Sequence, residues 1–193
     1  MKVQVGQDAA AERVALFDAG GRVVGAAPRG VVYRDGLWHG ATGVLLRSGD
    51  GDRVYLHRRA PDKLIFPGVH DCWAGGVIGP GESPEVAAAR ELTEELGVSG
   101  VPLVPIEYFP FDGFASGAGA GSPGGTDAPV RCHMFTYEVR WDGPVRHQPE
   151  EIVWGDWITL AELRARLDDP VGWPFVPDGR FGIERWFALR ERG

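Results

Sequence analysis

Apolar and polar residues alternate with a period of two along much of the chain, and short Gly/Asp-rich signals break that pattern into segments. "RVALFD" (13–18) and "RVVGAA" (22–27) flank Ala19-Gly20-Gly21, and "ATGVLLRS" (41–48) and "RVYLHRR" (53–59) flank "GDGD". Each pair predicts a β-hairpin. "DCWAGGVI", "VPLVPIEYF", "VRCHMFTYEVRW" and "EIVWGDWI" are further strands, rich in branched and aromatic residues that suit a half-buried pleated surface.

The helical period occurs three times. One helix is expected from about Pro84 to Leu96, with Ser83 as N-cap, proline at the first helical position and Gly97 as the stop. A second starts at Thr159, where Thr159 and Glu162 fit a capping box. The third, "GIERWFALRER", lies near the end. Many strands and few helices imply an α/β fold with helices packed on the faces of a mixed sheet. Residues 1–193 are expected to form one domain with an N-terminal hairpin extension over about 12–36. The Gly/Ala/Ser-rich run 113–129 is expected to be a mobile loop between two strands.

Composition narrows the class. With 44% hydrophobic and 24% charged residues, the chain resembles an ordinary globular protein. A net charge of −7 argues against nucleic acid as the main partner. No apolar run reaches the roughly 18 residues a membrane span needs, and the N-terminus does not read as a signal peptide. Two cysteines make no disulfide framework. A cytoplasmic protein without a membrane partner is expected; a homodimer is compatible with the sequence.

The 84–96 helix carries an electrostatic problem. At about 100° per residue, Val86, Ala89, Leu92 and Leu96 share one face, expected to dock on the sheet, and Glu91, Glu94 and Glu95 crowd the opposite one. Like charges three and four residues apart repel, and anions near a helix C-terminus oppose its dipole. Two readings account for the cluster. It is a solvated face with Arg90 paired to Glu94, or it is a site for hard divalent cations, which favour carboxylate oxygen.

Gly76, Glu82 and "RELTEELGV" (90–98) stand at the spacing of the complete Nudix box, and the chain resembles that family. The resemblance implies an α/β/α sandwich around a mixed sheet, and hydrolysis of a diphosphate linked to a moiety X, with a nucleoside diphosphate derivative as the expected small-molecule partner. It implies that Glu91, Glu94 and Glu95, with the Gly76 carbonyl, bind Mg²⁺ or Mn²⁺, and that Glu82 and Arg90 brace the catalytic loop against the helix. Such cations bridge phosphate oxygens, neutralise developing charge and acidify water. A general base from outside the box is expected in the pair Glu150 and Glu151, with Glu151 the candidate.

Upstream, "HRRAPDKLIFPGVHDCWAGG" is similar to the segment shared by type 1 isopentenyl-diphosphate isomerases and related bacterial Nudix hydrolases. That similarity implies diphosphate contacts from Arg59 and Lys63. Isomerase chemistry needs a cysteine and, two residues on, a histidine, where this chain has Gly75 and Val77. Cys72 falls three residues early, and an odd shift on a strand points to the other face. Hydrolysis is therefore expected over isomerisation or non-catalytic diphosphate binding. His39 is expected to be a hydrogen-bonded strand-end residue. His70, Cys72, Cys132 and His133 lack zinc-site spacing, and Trp154 and Trp157 are expected beside the pocket.

Overall fold

The computed structural model describes residues 9–114 and 129–192. β1 (Arg13–Phe17) and β2 (Val23–Pro28) form the expected antiparallel N-terminal hairpin. A short helix, α1 (Arg29–Asp35), follows and ends at Gly36 in the left-handed conformation. Sequence signals did not reveal α1, because it has no side-chain N-cap and only seven residues.

β3 (His39–Arg47) is the sheet's central strand and is buried along its whole length. It pairs antiparallel with β6 (Trp73–Val77) and parallel with β8 (Pro129–Arg140). β4 (Arg53–Arg59) pairs with β5 (His70–Asp71) and β9 (Ile152–Thr159), and β7 (Val104–Phe114) covers β8. The result is a mixed nine-stranded sheet. The expected hairpin around "GDGD" forms, with β3 and β4 antiparallel across the turn, but it is short: the strands register only at Arg47 and Val54 and then diverge to other partners. The expected mobile loop falls on 115–128, outside the described residues; its flanks Gly113 and Pro129 belong to β7 and β8.

Helices cover both faces. α3 (Leu160–Leu167), which has the expected Thr159–Glu162 capping box, and α4 (Pro177–Arg190) pack Leu163, Ile183, Trp186 and Phe187 on Leu45, Val54, Leu56 and Cys72. On the other face α2 (Pro84–Leu96) packs Ala88, Leu92 and Leu96 on Val44, Ala74 and Tyr137. This is an α/β/α sandwich. No helix among the described residues is long and apolar enough to cross a membrane.

The close pairing of β6 with β3 depends on Gly75. A Cβ there would overlap the Thr42 carbonyl oxygen and crowd Gly43 Cα, both backbone atoms of β3. Gly75→Ala is therefore expected to destabilise the fold by about 1–3 kcal/mol or more through overpacking, read as a lower midpoint in urea unfolding. An unchanged midpoint would mean that the strands separate at no cost.

Candidate active site

Helix α2 starts where Ser83 Oγ accepts from the Val86 amide at 3.3 Å, with Pro84 in the first turn, and stops at Gly97 in the left-handed region. Its buried residues are Ala87, Ala88, Leu92, Glu95 and Leu96, so the packed face is centred on Glu95. This corrects the expected face: Val86 is 58% exposed, whereas Glu95 is only 3% exposed. Periodicity favoured the larger apolar side chains. The helix instead approaches through small residues, and Gly76 presents no side chain opposite it. Glu95 Oε2 accepts from the Gly75 amide at 3.1 Å, which satisfies part of a buried carboxylate. Gly76 lies against the Glu91 carboxylate, where any Cβ would collide.

Arg90 ties the cluster together. Its Nε and Nη2 donate to the two oxygens of Glu82 at 3.0 and 3.1 Å, and Nη2 also donates to the Val77 carbonyl at 3.2 Å. Its Nη1 reaches Glu91 at 2.6 Å and Glu94 at 3.3 Å. Glu82 also accepts from the Gly79 amide at 2.9 Å, so the Glu82–Arg90 pair braces the loop between β6 and α2. The Arg90 hydrogen bonds hold Glu82 below the usual carboxylate range. Burial pushes Glu91 up, and burial followed by repulsion from Glu91 pushes Glu95 up. The site thus keeps two carboxylates short of countercharge.

A cationic wall faces them. Arg29, Arg59 and Lys63 line one cleft with Glu12, Glu91, Glu94, Glu95 and Glu151. Arg59, 8% exposed, donates Nε to the Phe66 carbonyl at 3.2 Å and Nη2 to the Ile65 carbonyl at 3.4 Å. Phe66 has φ 51°, the left-handed conformation, so Arg59 braces a strained turn as it enters the cleft. Lys63 pairs with Glu151 across 88 residues of chain, and burial, then Arg59, lowers its proton affinity. Glu150 is exposed and outside the cleft. Arg29, at the start of α1, is the functional candidate that sequence reasoning missed; one arginine after a proline carries no motif.

Other expected residues disperse. His39 Nδ1 meets the Leu37 carbonyl at 3.1 Å, as a structural histidine should. His133 contacts the Tyr108 hydroxyl and Asp18 carbonyl, while Cys72 and Cys132 sit in separate apolar clusters. Trp154 packs with His70 and Trp173, and Trp157 packs against Tyr55; neither lines the cleft, which corrects their expected placement.

The donor set suits a hard divalent cation: three carboxylates beside a backbone carbonyl, two of them buried with raised proton affinity. Among the described residues no three such side chains converge on one point. Arg90 holds Glu91 and Glu94, and Glu95 is turned to Gly75. A cation would therefore compete with Arg90 for the same oxygens.

The NUDIX domain model matches residues 37–179. The chain belongs to that family and is a Nudix hydrolase. It is 49% identical over 174 residues to an uncharacterized Nudix hydrolase of Rhodococcus erythropolis, covering 88% of each chain. A Streptomyces coelicolor relative of the same description is 42% identical over 175 residues, covering 91% of this chain and 88% of that one. The crystal structure of DR0079 from Deinococcus radiodurans superposes with a TM-score of 0.71 at 29% identity, over 90% of this chain and 98% of that one.

Burial of Glu95 has a consequence for stability. Its folded proton affinity exceeds the unfolded value, so the folded state is penalised as pH rises through the interval between them. Without metal, wild type is expected to lose stability relative to Glu95→Gln as pH rises from 4.5 to about 7, above which the difference levels off. Buried histidines such as His39 and His57 titrate in both proteins and cancel in the difference. Urea melts in chelator check this, and a pH-independent difference would contradict it.

Proposed function

We propose that the protein hydrolyses the diphosphate linkage of a small metabolite, a nucleoside diphosphate derivative in the first instance, with Mg²⁺ or Mn²⁺ as cofactor. The observation that carries this reading is the opposition, across one cleft, of Glu91, Glu94 and Glu95 to Arg29, Arg59 and Lys63. A cation needs the first wall and a diphosphate needs the second. When bound, the metal supplies charge neutralisation and a more acidic water.

The chain's own residues do the rest. Arg59, held at Phe66, offers a prepaid orientation to phosphate oxygens, and Arg29 and Lys63 add charge from either side. An incoming diphosphate competes with Glu151 for Lys63, which frees the Glu151 carboxylate to take a proton from the attacking water. Glu82 and Arg90 position the loop and act through it. Residues 1–193 act as one hydrolase unit on a soluble small molecule, in the cytoplasm. ADP-ribose is a reasonable panel member, since it is bound by the NUDIX domain of Shewanella oneidensis NrtR, an 18%-identical neighbour that supports only the fold.

Isomerisation of isopentenyl diphosphate is the runner-up, on the upstream similarity around Arg59 and Lys63. Against it, Gly75 and Val77 carry no acid, base or ligand group, and Cys72 is buried under α4. A non-catalytic binding module would not need an intact Glu91, Glu94, Glu95 and Arg90 set.

Hydrolysis of a panel of diphosphates in Mg²⁺ tests the reading, followed as inorganic phosphate released directly or, for diphosphates esterified at both ends, after phosphatase treatment of the monophosphate products. Turnover of at least one member is expected, lost on chelation, with no allylic isomer detected by NMR from isopentenyl diphosphate. Glu151→Gln is expected to lower kcat by about two to four orders of magnitude. Full turnover after exhaustive chelation, or isomer formation at enzymatic rates, would overturn it; near-normal kcat in Glu151→Gln would place the base elsewhere.

A further inference from the structure

Behind Arg59 and the Gly75-Gly76 pair the cleft continues into an inner pocket. Its volume is about 70 Å³, several times the roughly 10–15 Å³ that one water molecule requires. Arg29, Arg59, Gly75 and Gly76 line both spaces, so a molecule whose phosphates lie on the cationic wall can extend its other end inward.

The inner pocket is partly apolar, with Ile65 and Met134, and most of its polar groups are paired within the protein, but two polar atoms are not. Asp178 Oδ1 and Arg29 Nε are withdrawn from solvent and have no hydrogen-bond partner among the described residues. Asp71 is 6% exposed. Its Oδ1 accepts from the amides of Cys72 at 2.8 Å and Trp73 at 3.1 Å, and no donor among the described residues reaches Oδ2. Burial pushes Asp71 up to about 8 and raises Asp178 as well, outweighing the backbone amides that act in the other direction. Folded proteins leave few buried polar atoms unpaired, and those that remain call for an explanation. Neither aspartate contacts the Glu91, Glu94 and Glu95 cluster, and neither belongs to the motif that defines the family.

We propose that this inner pocket receives the moiety X of the substrate, and that Asp178, seconded by Asp71, selects X groups bearing hydrogen-bond donors over apolar ones. The proposal rests on the diphosphatase reading and narrows it to hydroxylated or amine-bearing diphosphates. An apolar chain would fill the space but leave Asp178 Oδ1 and Asp71 Oδ2 without a donor, and sites built around buried polar groups reject such analogues strongly. The reaction itself is unchanged: water adds across the P–O–P bond, giving X-phosphate and, from the other side, a nucleoside monophosphate or, where the second phosphate is terminal as in the probes below, inorganic phosphate.

Three matched probes test it: butyl, 3,4-dihydroxybutyl and 4-aminobutyl diphosphate, each followed by phosphate release with wild-type protein in Mg²⁺. At least one donor-bearing probe is expected to exceed butyl diphosphate in kcat/KM by about 100-fold, and which one does so distinguishes hydroxyl from amine. Asp178→Ala should reduce that ratio to below about tenfold, chiefly through KM, and Asp178→Asn should retain part of it. Equal or better hydrolysis of butyl diphosphate, or an unchanged ratio in Asp178→Ala, would overturn the proposal. If no diphosphate is turned over, the diphosphatase reading fails by itself. Calorimetric binding of 3,4-dihydroxybutyl and 4-aminobutyl phosphate against butyl phosphate then decides the pocket assignment, with equal affinity counting against it.

Discussion

The hydrogen bond from the Gly75 amide to the buried Glu95 carboxylate sets how α2 lies on the sheet, and the site follows from that placement. Beside it Gly76 presents no side chain to α2, and a Cβ there would collide with the Glu91 carboxylate, so strand and helix approach closely. With α2 seated this way, Glu91 lies over Gly76 and Arg90 reaches back to Glu82 and the Val77 carbonyl. The loop between strand and helix is thereby clamped at both ends. Across the cleft, the strained turn at Phe66 is held by Arg59, which fixes the cationic wall in the same frame.

The resulting charge distribution is poised rather than settled. Burying a carboxylate costs unless it is paired, and Glu95 has one amide donor and a like-charged neighbour in Glu91. Arg90 offsets part of this cost but must divide its guanidinium among Glu82, Glu91 and Glu94. A divalent cation would bring two charges where Arg90 brings one, and would let Arg90 serve Glu82 alone. Lys63 and Glu151 form a second ion pair in the same cleft. The carboxylates that a cation would neutralise are thus, without one, a cost to the fold.

Much of this was legible in the sequence because it is local. Strands announce themselves by alternation, α2 and α3 by their caps, and the catalytic loop by the spacing from Gly76 to Gly97. What escaped was set by tertiary contact. The packed face of α2 is the clearest case: amphipathic periodicity turns Val86 inward, but a glycine-lined strand favours small residues and a hydrogen-bonded carboxylate instead. Arg29 and Asp178 were invisible for another reason, since each lies far along the chain from the box and acquires meaning only where α1 and α4 bring it to the cleft. The divergence of β3 from β4 likewise depends on partners that a turn signal cannot specify. Lys63 was identified by resemblance, but its pairing with Glu151 required the fold.

Whether the buried anions exist to hold a cation is answered most directly by Mn²⁺ binding to the metal-free protein, followed through the paramagnetic resonance of the free ion. Wild type should bind Mn²⁺ more tightly as pH rises and the carboxylates ionise. Glu91→Gln and Glu95→Gln should each weaken that binding by about tenfold or more. Equal affinity in all three proteins would show that these carboxylates only pack and solvate a helix, and would contradict the site described above.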